Sequence, residues 1–348
     1  MRYRLLGKSG VRVSELCLGT MTFGEDWGWG ASKAESRKMF DAFAAAGGNF
    51  IDTACNYTEG TSERFVGEFI AAERDYFVVA TKYTLRPRRA NQKDPNAGGN
   101  SRKNMLRSVE ASLKRLNSDH IDLLYLHMWD MFVSVEEVMR AFDDLVRAGK
   151  VLYIGFSDTP AYQVAKADLL AELRGWAPVA AIQIPYSLFR RDPERELLPM
   201  AREQDIAVAV WGMLGGGVLT GKFRVEGSVR RYESASEEWK SAGDRVVAMA
   251  QAIGRTPSQV AINWVRQQQS KALIIPILGA RSLEQLQDNL GALDFELTAE
   301  QLAELDQVAN FQPGFPRSFL EDDEVRHLIH GETFELVDNH RAGGARSW

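Results

Sequence analysis

The sequence is short of cysteine and of long apolar runs. Its 348 residues contain two cysteines, Cys17 and Cys55, too few for a disulfide framework in a chain of this length, so we expect both to be free thiols. No apolar run approaches the roughly 20 residues that a membrane-spanning helix needs. The first residues also lack the apolar stretch of a secretory signal, and we therefore expect a cytoplasmic protein.

A clustered basic region is missing as well. The net charge is −5 and the two signs are interspersed, so we expect neither nucleic acid nor a membrane as a partner. Residues 86–89 are locally basic, but an acidic residue and glycines follow, and we interpret this segment as a solvated loop. Residues 18–24 also lack the G-x-G-x-x-G pattern that typically follows the first strand of an open dinucleotide-binding sheet.

Eight short apolar runs alternate with amphipathic stretches along most of the chain. Runs without polar alternation are typical of parallel strands that are buried on both faces. Eight such units predict an α/β fold, a closed (β/α)8 TIM barrel, with an open doubly wound sheet as the alternative. The predicted strands are residues 16–18, 49–51, 77–80, 121–126, 151–156, 179–182, 206–210 and 272–275.

Turn and capping residues mark the ends of the predicted elements. Residues 3–6 and 11–13 flank a glycine-containing turn and predict an N-terminal hairpin. A Ser or Thr followed three residues later by Glu or Gln predicts a helix start. These pairs are Ser32 with Glu35, Ser134 with Glu137, Ser282 with Gln285, and Thr298 with Gln301. Two further starts, Thr159-Pro160 and Thr256-Pro257, place a proline at the first helical position.

Three stretches fit neither a strand nor a helix, namely residues 27–30, 86–100 and 223–243. Each follows a strand, so we expect long loops at the C-terminal face of the barrel. We interpret residues 1–348 as a single domain, with a core of about 1–310 and a C-terminal tail, 311–348. The tail histidines, His327, His330 and His340, are interpreted as solvated, and no metal site is expected.

Four ionisable residues follow three of the apolar runs: Asp52 and Tyr57, Lys82, and His127. The C-terminal ends of parallel strands meet at the rim where barrels carry their active sites, so we expect these side chains to converge. Lys82 would lower the pKa of Tyr57, and Asp52 would keep Lys82 protonated. His127 would donate a hydrogen bond to a carbonyl oxygen. The set suits protonation of a carbonyl that receives hydride at carbon.

The segments that carry these residues resemble the aldo-keto reductases. The resemblance rests on residues 51–57, 81–82 and 124–127, and it extends from about residue 6 to residue 289. It implies a (β/α)8 barrel that reduces an aldehyde or ketone with NADPH. It further implies that Asp52, Tyr57, Lys82 and His127 are the catalytic tetrad, with Tyr57 as the general acid.

The resemblance also implies a cofactor site. Ser157, Asp158 and Gln183 stand where relatives hold the nicotinamide carboxamide, although Asp158 replaces the commoner Asn, and Trp211 stands where an aromatic ring stacks on the nicotinamide. Arg281 stands at the position of the 2′-phosphate ligand, so NADP(H) would be preferred over NAD(H). The full expected set is Gly19, Thr20, Met21, Asp52, Ser157, Asp158, Gln183, Trp211, Gly212, Leu214, Gly216, Lys222, Gly279, Arg281, Gln285 and Asn289.

Other functions are disfavoured to different degrees. Residues 216–222 nearly match a P-loop, but Phe223 stands where a phosphoryl-transfer enzyme needs Ser or Thr for Mg²⁺. A metal-dependent hydrolase would need more His or carboxylate ligands at the strand ends than Asp52 and His127. A non-catalytic NADP(H)-binding regulatory subunit of the same fold stays open, although the complete tetrad disfavours it.

Three tryptophans are expected to line the substrate side of the site. Trp27 and Trp29 follow the first predicted strand, and Trp129 follows the fourth. Flat apolar walls of this kind favour an aromatic or extended aldehyde or ketone. The sequence predicts neither the physiological carbonyl, nor the working direction, nor the oligomeric state.

Overall fold

The structure is a computed structural model, and it describes residues 1–88, 91, 93–225, 234–309 and 311–338. His340 and the end of the predicted tail lie outside the described residues. So do residues 89, 90 and 92 of the predicted loop 86–100, residues 226–233 of the predicted loop 223–243, and residue 310, the predicted end of the core.

The strands form a short hairpin and a closed parallel barrel. The hairpin consists of β1 (Tyr3–Leu5) and β2 (Arg12–Ser14), which pair antiparallel. The barrel strands are β3 (Cys17–Gly19), β4 (Phe50–Asp52), β5 (Val78–Tyr83), β6 (Ile121–Leu126), β7 (Val151–Ser157), β8 (Val179–Pro185), β9 (Ala207–Trp211) and β10 (Ile274–Gly279). Pairing of β10 with β3 closes the barrel. The predicted fold is therefore confirmed, and the open sheet is excluded.

The register of β4 and β5 sets the geometry of the rim. All residues of these two strands are buried, as expected for apolar runs covered on both faces. Asp52 lies opposite Ala80, and Lys82 follows two residues later on β5. Because side chains two residues apart on a strand share a face, Asp52 and Lys82 point to the same side of the sheet.

The helices alternate with the barrel strands along the chain. They are α1 (Lys33–Ala45), α2 (Thr61–Ile70), α3 (Arg102–Leu116), α4 (Val135–Arg147), α5 (Ala161–Arg174), α6 (Leu197–Glu203), α7 (Glu237–Ala252), α8 (Pro257–Arg266), α9 (Leu283–Leu290), α10 (Ala299–Asp306), α11 (Arg317–Leu320) and α12 (Asp323–His330). The predicted starts at Ser32, Ser134, Ser282, Thr256 and Thr298 are confirmed, since each side-chain oxygen accepts the N–H three residues on.

Two predicted boundaries are wrong. Pro160 is the N-cap of α5 rather than its first residue, because the Thr159 hydroxyl donates to the Ser157 carbonyl instead of capping the helix. The predicted loop 223–243 is too long, because α7 already begins at Glu237, where the Ser236 hydroxyl accepts from the N–H of Trp239. The predicted tail also contains the helices α11 and α12.

The chain forms two compact units that alternate along the sequence. The first consists of Met1–Ile184, Ile206–Trp211 and Ile274–Glu296 and contains the barrel. The second consists of Pro185–Asp205, Gly212–Leu273 and Leu297–Trp348 and contains α6, α7, α8 and α10 to α12. That residues 1–348 form a single domain stays a prediction.

No helix within the described ranges combines the length and the apolarity needed to cross a membrane. The expected cytoplasmic location likewise stays a prediction. Cys17 and Cys55 are both free and buried, as expected. The thiol of Cys55 donates to the Leu85 carbonyl at 3.2 Å, and burial raises its pKa to about 12. A thiol with this pKa is inert at neutral pH, which fits a packing role.

Candidate active site

The ends of β4, β5 and β6 bring the expected tetrad together in the first unit. Asp52 is the last residue of β4, Lys82 is the fifth residue of β5, and His127 directly follows β6. Tyr57 begins a short 3-10 turn, Tyr57–Gly60, between β4 and α2. All four side chains therefore lie at the C-terminal rim, where barrel enzymes carry their catalytic groups.

Lys82 is the centre of the cluster. Its Nζ donates to Asp52 Oδ2 at 2.6 Å, to the Thr53 carbonyl at 2.8 Å, and to the Tyr57 hydroxyl oxygen at 3.1 Å. The side chain is fully buried, so these three acceptors satisfy all three ammonium hydrogens without water. The ammonium is consequently held in one geometry, with one hydrogen pointing to the phenol.

The pKa shifts of Lys82 and Tyr57 agree only in part with those expected from the sequence. Burial tends to lower the pKa of Lys82, but the Asp52 carboxylate and Tyr57 outweigh it and raise that pKa overall, so Lys82 stays protonated. Burial raises the pKa of Tyr57 more than the Lys82 ammonium lowers it. The expected net lowering is therefore wrong, because desolvation disfavours the phenolate more strongly than one cation favours it.

His127 completes the group beside the phenol. The His127 and Tyr57 rings lie 5.9 Å apart at 79°. The backbone N–H of His127 donates to the Thr84 hydroxyl at 3.2 Å. Burial, together with the positive charge of Lys82, holds the pKa of His127 well below its ordinary value. The imidazole is thus neutral at neutral pH, with one N–H to donate.

An unusual turn aims the Tyr57 side chain. The two residues after it, Thr58 and Glu59, have left-handed backbones with φ of 45° and 57°, and Gly60 follows at 85°. Non-glycine residues in this region cost roughly 1–2 kcal/mol each, so the surroundings must impose it. The buried Thr58 hydroxyl donates to the Phe23 carbonyl at 2.6 Å and accepts from the N–H of Ser62. These bonds fix the turn.

Gln183 connects the tetrad to the next expected group. Its Nε2 donates to Asp52 Oδ1 at 2.7 Å, so the two Asp52 oxygens accept from Lys82 and Gln183 respectively. The amide oxygen of Gln183 is left for other partners. This bond holds the carboxylate from the side opposite Lys82, and no local sequence pattern indicates it.

The other expected nicotinamide residues lie at neighbouring strand ends. Ser157 is the buried last residue of β7, and Asp158 follows with a left-handed φ of 41°. The N–H of Asp158 donates to the Gln183 carbonyl at 3.2 Å, which joins the ends of β7 and β8. Trp211 is the half-buried last residue of β9. Their cofactor roles stay predictions.

Three expected cofactor residues, Gly19, Thr20 and Met21, lie at the end of β3 and directly after it. Gly19 is buried, and a Cβ there would lie 2.7 Å from the Ile277 side chain. The Thr20 hydroxyl is also buried and is hydrogen-bonded to the Asp52 carbonyl and to Ser62. Met21 is half-buried. The backbone of Thr20 is hydrogen-bonded too, since its N–H donates to the Asp52 carbonyl at 2.9 Å and its carbonyl accepts from the N–H of Phe23 and from the Ser62 hydroxyl. The cofactor role of Thr20 stays a prediction.

The start of α9 holds the expected phosphate residues. Arg281 and Gln285 are joined, since Gln285 Oε1 accepts from the Arg281 N–H at 2.9 Å. Asn289 is buried, and its Nδ2 donates to the carbonyl of the exposed Gly279 at 3.3 Å. The N–H of Leu283 donates to a carboxylate oxygen of Glu35 at 2.7 Å, and this bond lowers the pKa of Glu35. One N–H at the start of α9 is therefore occupied by a carboxylate, and the phosphate role of Arg281 stays a prediction.

Four expected cofactor residues belong to the second unit: Gly212, Leu214, Gly216 and Lys222. Gly212 and Gly216 have left-handed φ values, as a tight glycine-rich segment requires, and Lys222 is exposed. Phe223 of the partial P-loop match is buried. The roles of these residues stay predictions.

The three tryptophans differ in exposure. Trp27 and Trp29 are half-buried, and their rings lie 5.5 Å apart. The Trp27 ring is 6.4 Å from the Tyr57 ring, and the Arg281 guanidinium lies 5.3 Å from the Trp29 ring. Trp129 is 8% exposed, so it is a buried residue rather than an exposed loop tryptophan. Trp27 is the tryptophan that is in ring contact with the tetrad.

The donor set of the first unit fits a nicotinamide cofactor with a phosphate. The Ser157 hydroxyl, the Asp158 carboxylate and the amide oxygen of Gln183 supply both donors and acceptors near the tetrad. Arg281 supplies a cation whose planar fork suits a phosphate. Within the described residues no group of three or more His, Cys, Asp or Glu could hold a metal ion.

Comparison with known proteins gives a consistent picture. Residues 15–310 match the model of the aldo/keto reductase family. The chain is 40% identical to a norsolorinic acid reductase of Aspergillus flavus, over 91% of this chain and 84% of that protein. It is 38% identical to an aryl-alcohol dehydrogenase of Pestalotiopsis microspora, over 92% and 85% of the two chains. It is 36% identical to an NADP(+) aryl-alcohol dehydrogenase of Phanerodontia chrysosporium, over 94% and 91%.

Proposed function

Because the chain belongs to the aldo/keto reductase family, we propose that it reduces an aldehyde or ketone to an alcohol with NADPH, reversibly, and that Tyr57 is the general acid. One observation carries the proposal. A fully buried ammonium, Lys82, donates both to the Asp52 carboxylate and to the phenol of Tyr57. This geometry supplies a proton donor at a fixed point of the rim.

The residues of the site have separate roles in this reaction. The cofactor supplies the hydride. Tyr57 donates its proton to the carbonyl oxygen, and Lys82 stabilises the phenolate that remains, because a cation about 3 Å away favours the anion. His127 is neutral and donates a hydrogen bond to the same oxygen. Asp52 keeps Lys82 protonated and in place.

Two groups of residues in the first unit would hold NADP(H). Ser157, Asp158 and Gln183 would bind the carboxamide, since together they offer the donors and acceptors that an amide needs. Arg281 would bind the 2′-phosphate and favour NADPH over NADH. The name of one relative, an NADP(+) aryl-alcohol dehydrogenase, supports this preference.

An aromatic carbonyl is the proposed substrate class. The names of the relatives refer to aryl alcohols and to norsolorinic acid. Trp27 lies beside Tyr57, so a flat apolar body could pack against indole while its carbonyl oxygen meets the phenol. Trp129 is buried, and its expected role as a wall of the substrate site stays a prediction.

The test is a panel of aldehydes and ketones with NADPH, followed at the absorbance band of the reduced nicotinamide. Tyr57→Phe is expected to retain NADPH binding and to lose at least ~10²-fold in reduction, the usual scale for a lost general acid. Tyr125→Phe is the matched control, because Tyr125 is another fully buried barrel tyrosine and its hydroxyl makes no hydrogen bond to Asp52, Lys82 or His127 among the described residues.

Three outcomes separate the alternatives. Turnover by the wild type and by Tyr125→Phe, but not by Tyr57→Phe, supports the proposal. Equal turnover by Tyr57→Phe would remove Tyr57 from the role of general acid. Tight NADPH binding by the wild type without turnover of any carbonyl in the panel would favour the non-catalytic NADP(H)-binding alternative.

A further inference from the structure

Residues 22–31, named here the tryptophan loop, form a closed turn next to Tyr57. The N–H of Gly24 donates to the Ala31 carbonyl at 2.9 Å, and the N–H of Ala31 donates to the Thr22 carbonyl at 2.7 Å. At Gly30, φ is 135° and a Cβ would lie 2.0 Å from the Gly24 carbonyl oxygen, so glycine is required there. The base of the loop is therefore fixed.

The indole N–H of Trp27, in the middle of the tryptophan loop, is bound by a carboxylate. Trp27 Nε1 donates to Glu59 Oε1 at 3.1 Å. The same oxygen accepts from the N–H of Arg88 at 3.2 Å, and the Arg88 guanidinium lies 5.0 Å from the Trp27 ring. One carboxylate oxygen of Glu59 thus joins the tryptophan loop to the segment that follows β5.

Glu59 is placed for this contact by the turn that aims Tyr57. It is the second residue after Tyr57, and its left-handed φ of 57° is rare for an L-residue. With an ordinary backbone at this position the carboxylate would point elsewhere. The phenol of Tyr57 and the carboxylate that holds Trp27 therefore have their positions set by the same four-residue turn.

The role of Glu59 follows from what its carboxylate contacts. A half-buried indole without a polar partner can change rotamer, whereas an indole whose N–H donates to a carboxylate is held. The Trp27 ring lies at 80° to the Tyr57 ring, with the ring centres 6.4 Å apart. Fixing Trp27 therefore fixes the distance between the phenol and this flat apolar surface.

We propose that Glu59 is a positioning residue that holds Trp27 beside Tyr57 and thereby gives the enzyme its preference for carbonyl substrates with a flat apolar body. The inference rests on the proposed function. A ring-bearing aldehyde gains from a fixed indole, because it can place its carbonyl at Tyr57 and its body against Trp27 together. A small aliphatic aldehyde such as propanal is too short to use both contacts.

The test compares kcat/KM for 2-naphthaldehyde with kcat/KM for propanal under saturating NADPH. Glu59→Ala is expected to lower the ratio of the two values by roughly threefold to tenfold, the scale of the net contribution of one ordinary hydrogen bond, mainly through KM for the larger aldehyde. Glu59→Gln keeps an oxygen acceptor at the same place and is expected to restore most of the ratio. If Glu59 had a merely structural role, Glu59→Ala would lower kcat/KM for both aldehydes by the same factor and leave the ratio unchanged.

Trp27→Phe provides a second route that leaves the strained turn unchanged. It keeps a ring beside Tyr57 but lacks the N–H, so it is expected to lower the ratio about as much as Glu59→Ala. Adding Glu59→Ala to Trp27→Phe should then change the ratio by less than about twofold, because the two residues act through one bond. If Glu59→Ala does not fold, Glu59→Met takes its place, because it fills a similar volume without an oxygen acceptor and leaves Trp27 intact.

The outcomes separate the two proposals. Wild-type protein that reduces neither aldehyde contradicts the proposed function itself. Wild-type protein that reduces both, with an unchanged ratio in Glu59→Ala and Trp27→Phe, overturns only the role of Glu59. Fully additive effects of the two substitutions would also overturn it.

Discussion

The ion pair between Asp52 and Lys82 can be tested by a double-mutant cycle on stability. Lys82→Met leaves the Asp52 carboxylate buried with Gln183 as its remaining side-chain donor, and Asp52→Asn leaves a buried ammonium without its counter-ion. Breaking a buried pair from one side costs about 3–5 kcal/mol. The double variant contains no uncompensated charge, and the amide introduced by Asp52→Asn keeps an oxygen that can accept from Gln183. We therefore expect the double variant to lose about 2–3 kcal/mol less of its free energy of unfolding than the sum of the losses in the two single variants.

The assay is urea unfolding at pH 7, with the free energy obtained from the midpoint and the slope. The exposed pair Arg37 and Asp41 on α1 gives a matched control, because both side chains are about half exposed and should couple weakly. Losses at Asp52 and Lys82 that add within about 0.5 kcal/mol would refute the reasoning, because they would mean that the two charges do not depend on each other.

Two further predictions concern the cofactor and pH. Arg281→Ala should weaken NADPH binding by about tenfold or more and NADH binding much less, as measured by quenching of tryptophan fluorescence; equal losses would remove Arg281 from the phosphate site. Because the pKa of Tyr57 is raised and that of His127 is lowered, both side chains keep their proton state between about pH 6 and about pH 9. The kcat/KM for reduction should be flat across this range, and an inflection near about pH 6.5 that His127→Gln removes would contradict the lowered pKa.

The sequence was sufficient to predict the barrel fold and the ionisable residues at its C-terminal rim. Apolar runs predicted the barrel strands to within a few residues. The polar groups that follow them, Asp52, Lys82 and His127, lie together because the C-terminal ends of parallel barrel strands meet at one rim. Helix starts were predictable where the capping Ser or Thr is followed three residues later by Glu or Gln, as at Thr256, but not at Ser236, where Trp239 occupies that position. The prediction failed at Thr159, because its hydroxyl donates to the carbonyl of the preceding Ser157 instead of capping the helix.

The rest depends on contacts between distant parts of the chain. Gln183 and Asp52 are 131 residues apart, and only closure of the barrel brings them together. Whether the pKa of Tyr57 is raised or lowered depends on how completely its side chain is buried. The sequence shows that Lys82 is nearby, but it does not show this burial. Glu59 has no periodic or motif signal at all, since its role arises from a backbone conformation that its residue type does not favour.

The hydrogen bond from the Thr58 hydroxyl to the Phe23 carbonyl has a consequence for protein engineering. A designer who exchanges residues 22–31 for those of another barrel, in order to change the range of accepted carbonyls, also replaces the acceptor that keeps Thr58 in a left-handed conformation. Such a chimera would lose alignment of its proton donor while every residue of the tetrad is still present. Grafts at this rim should therefore begin after Phe23 and keep its carbonyl in place, or transfer loop and turn together as one module.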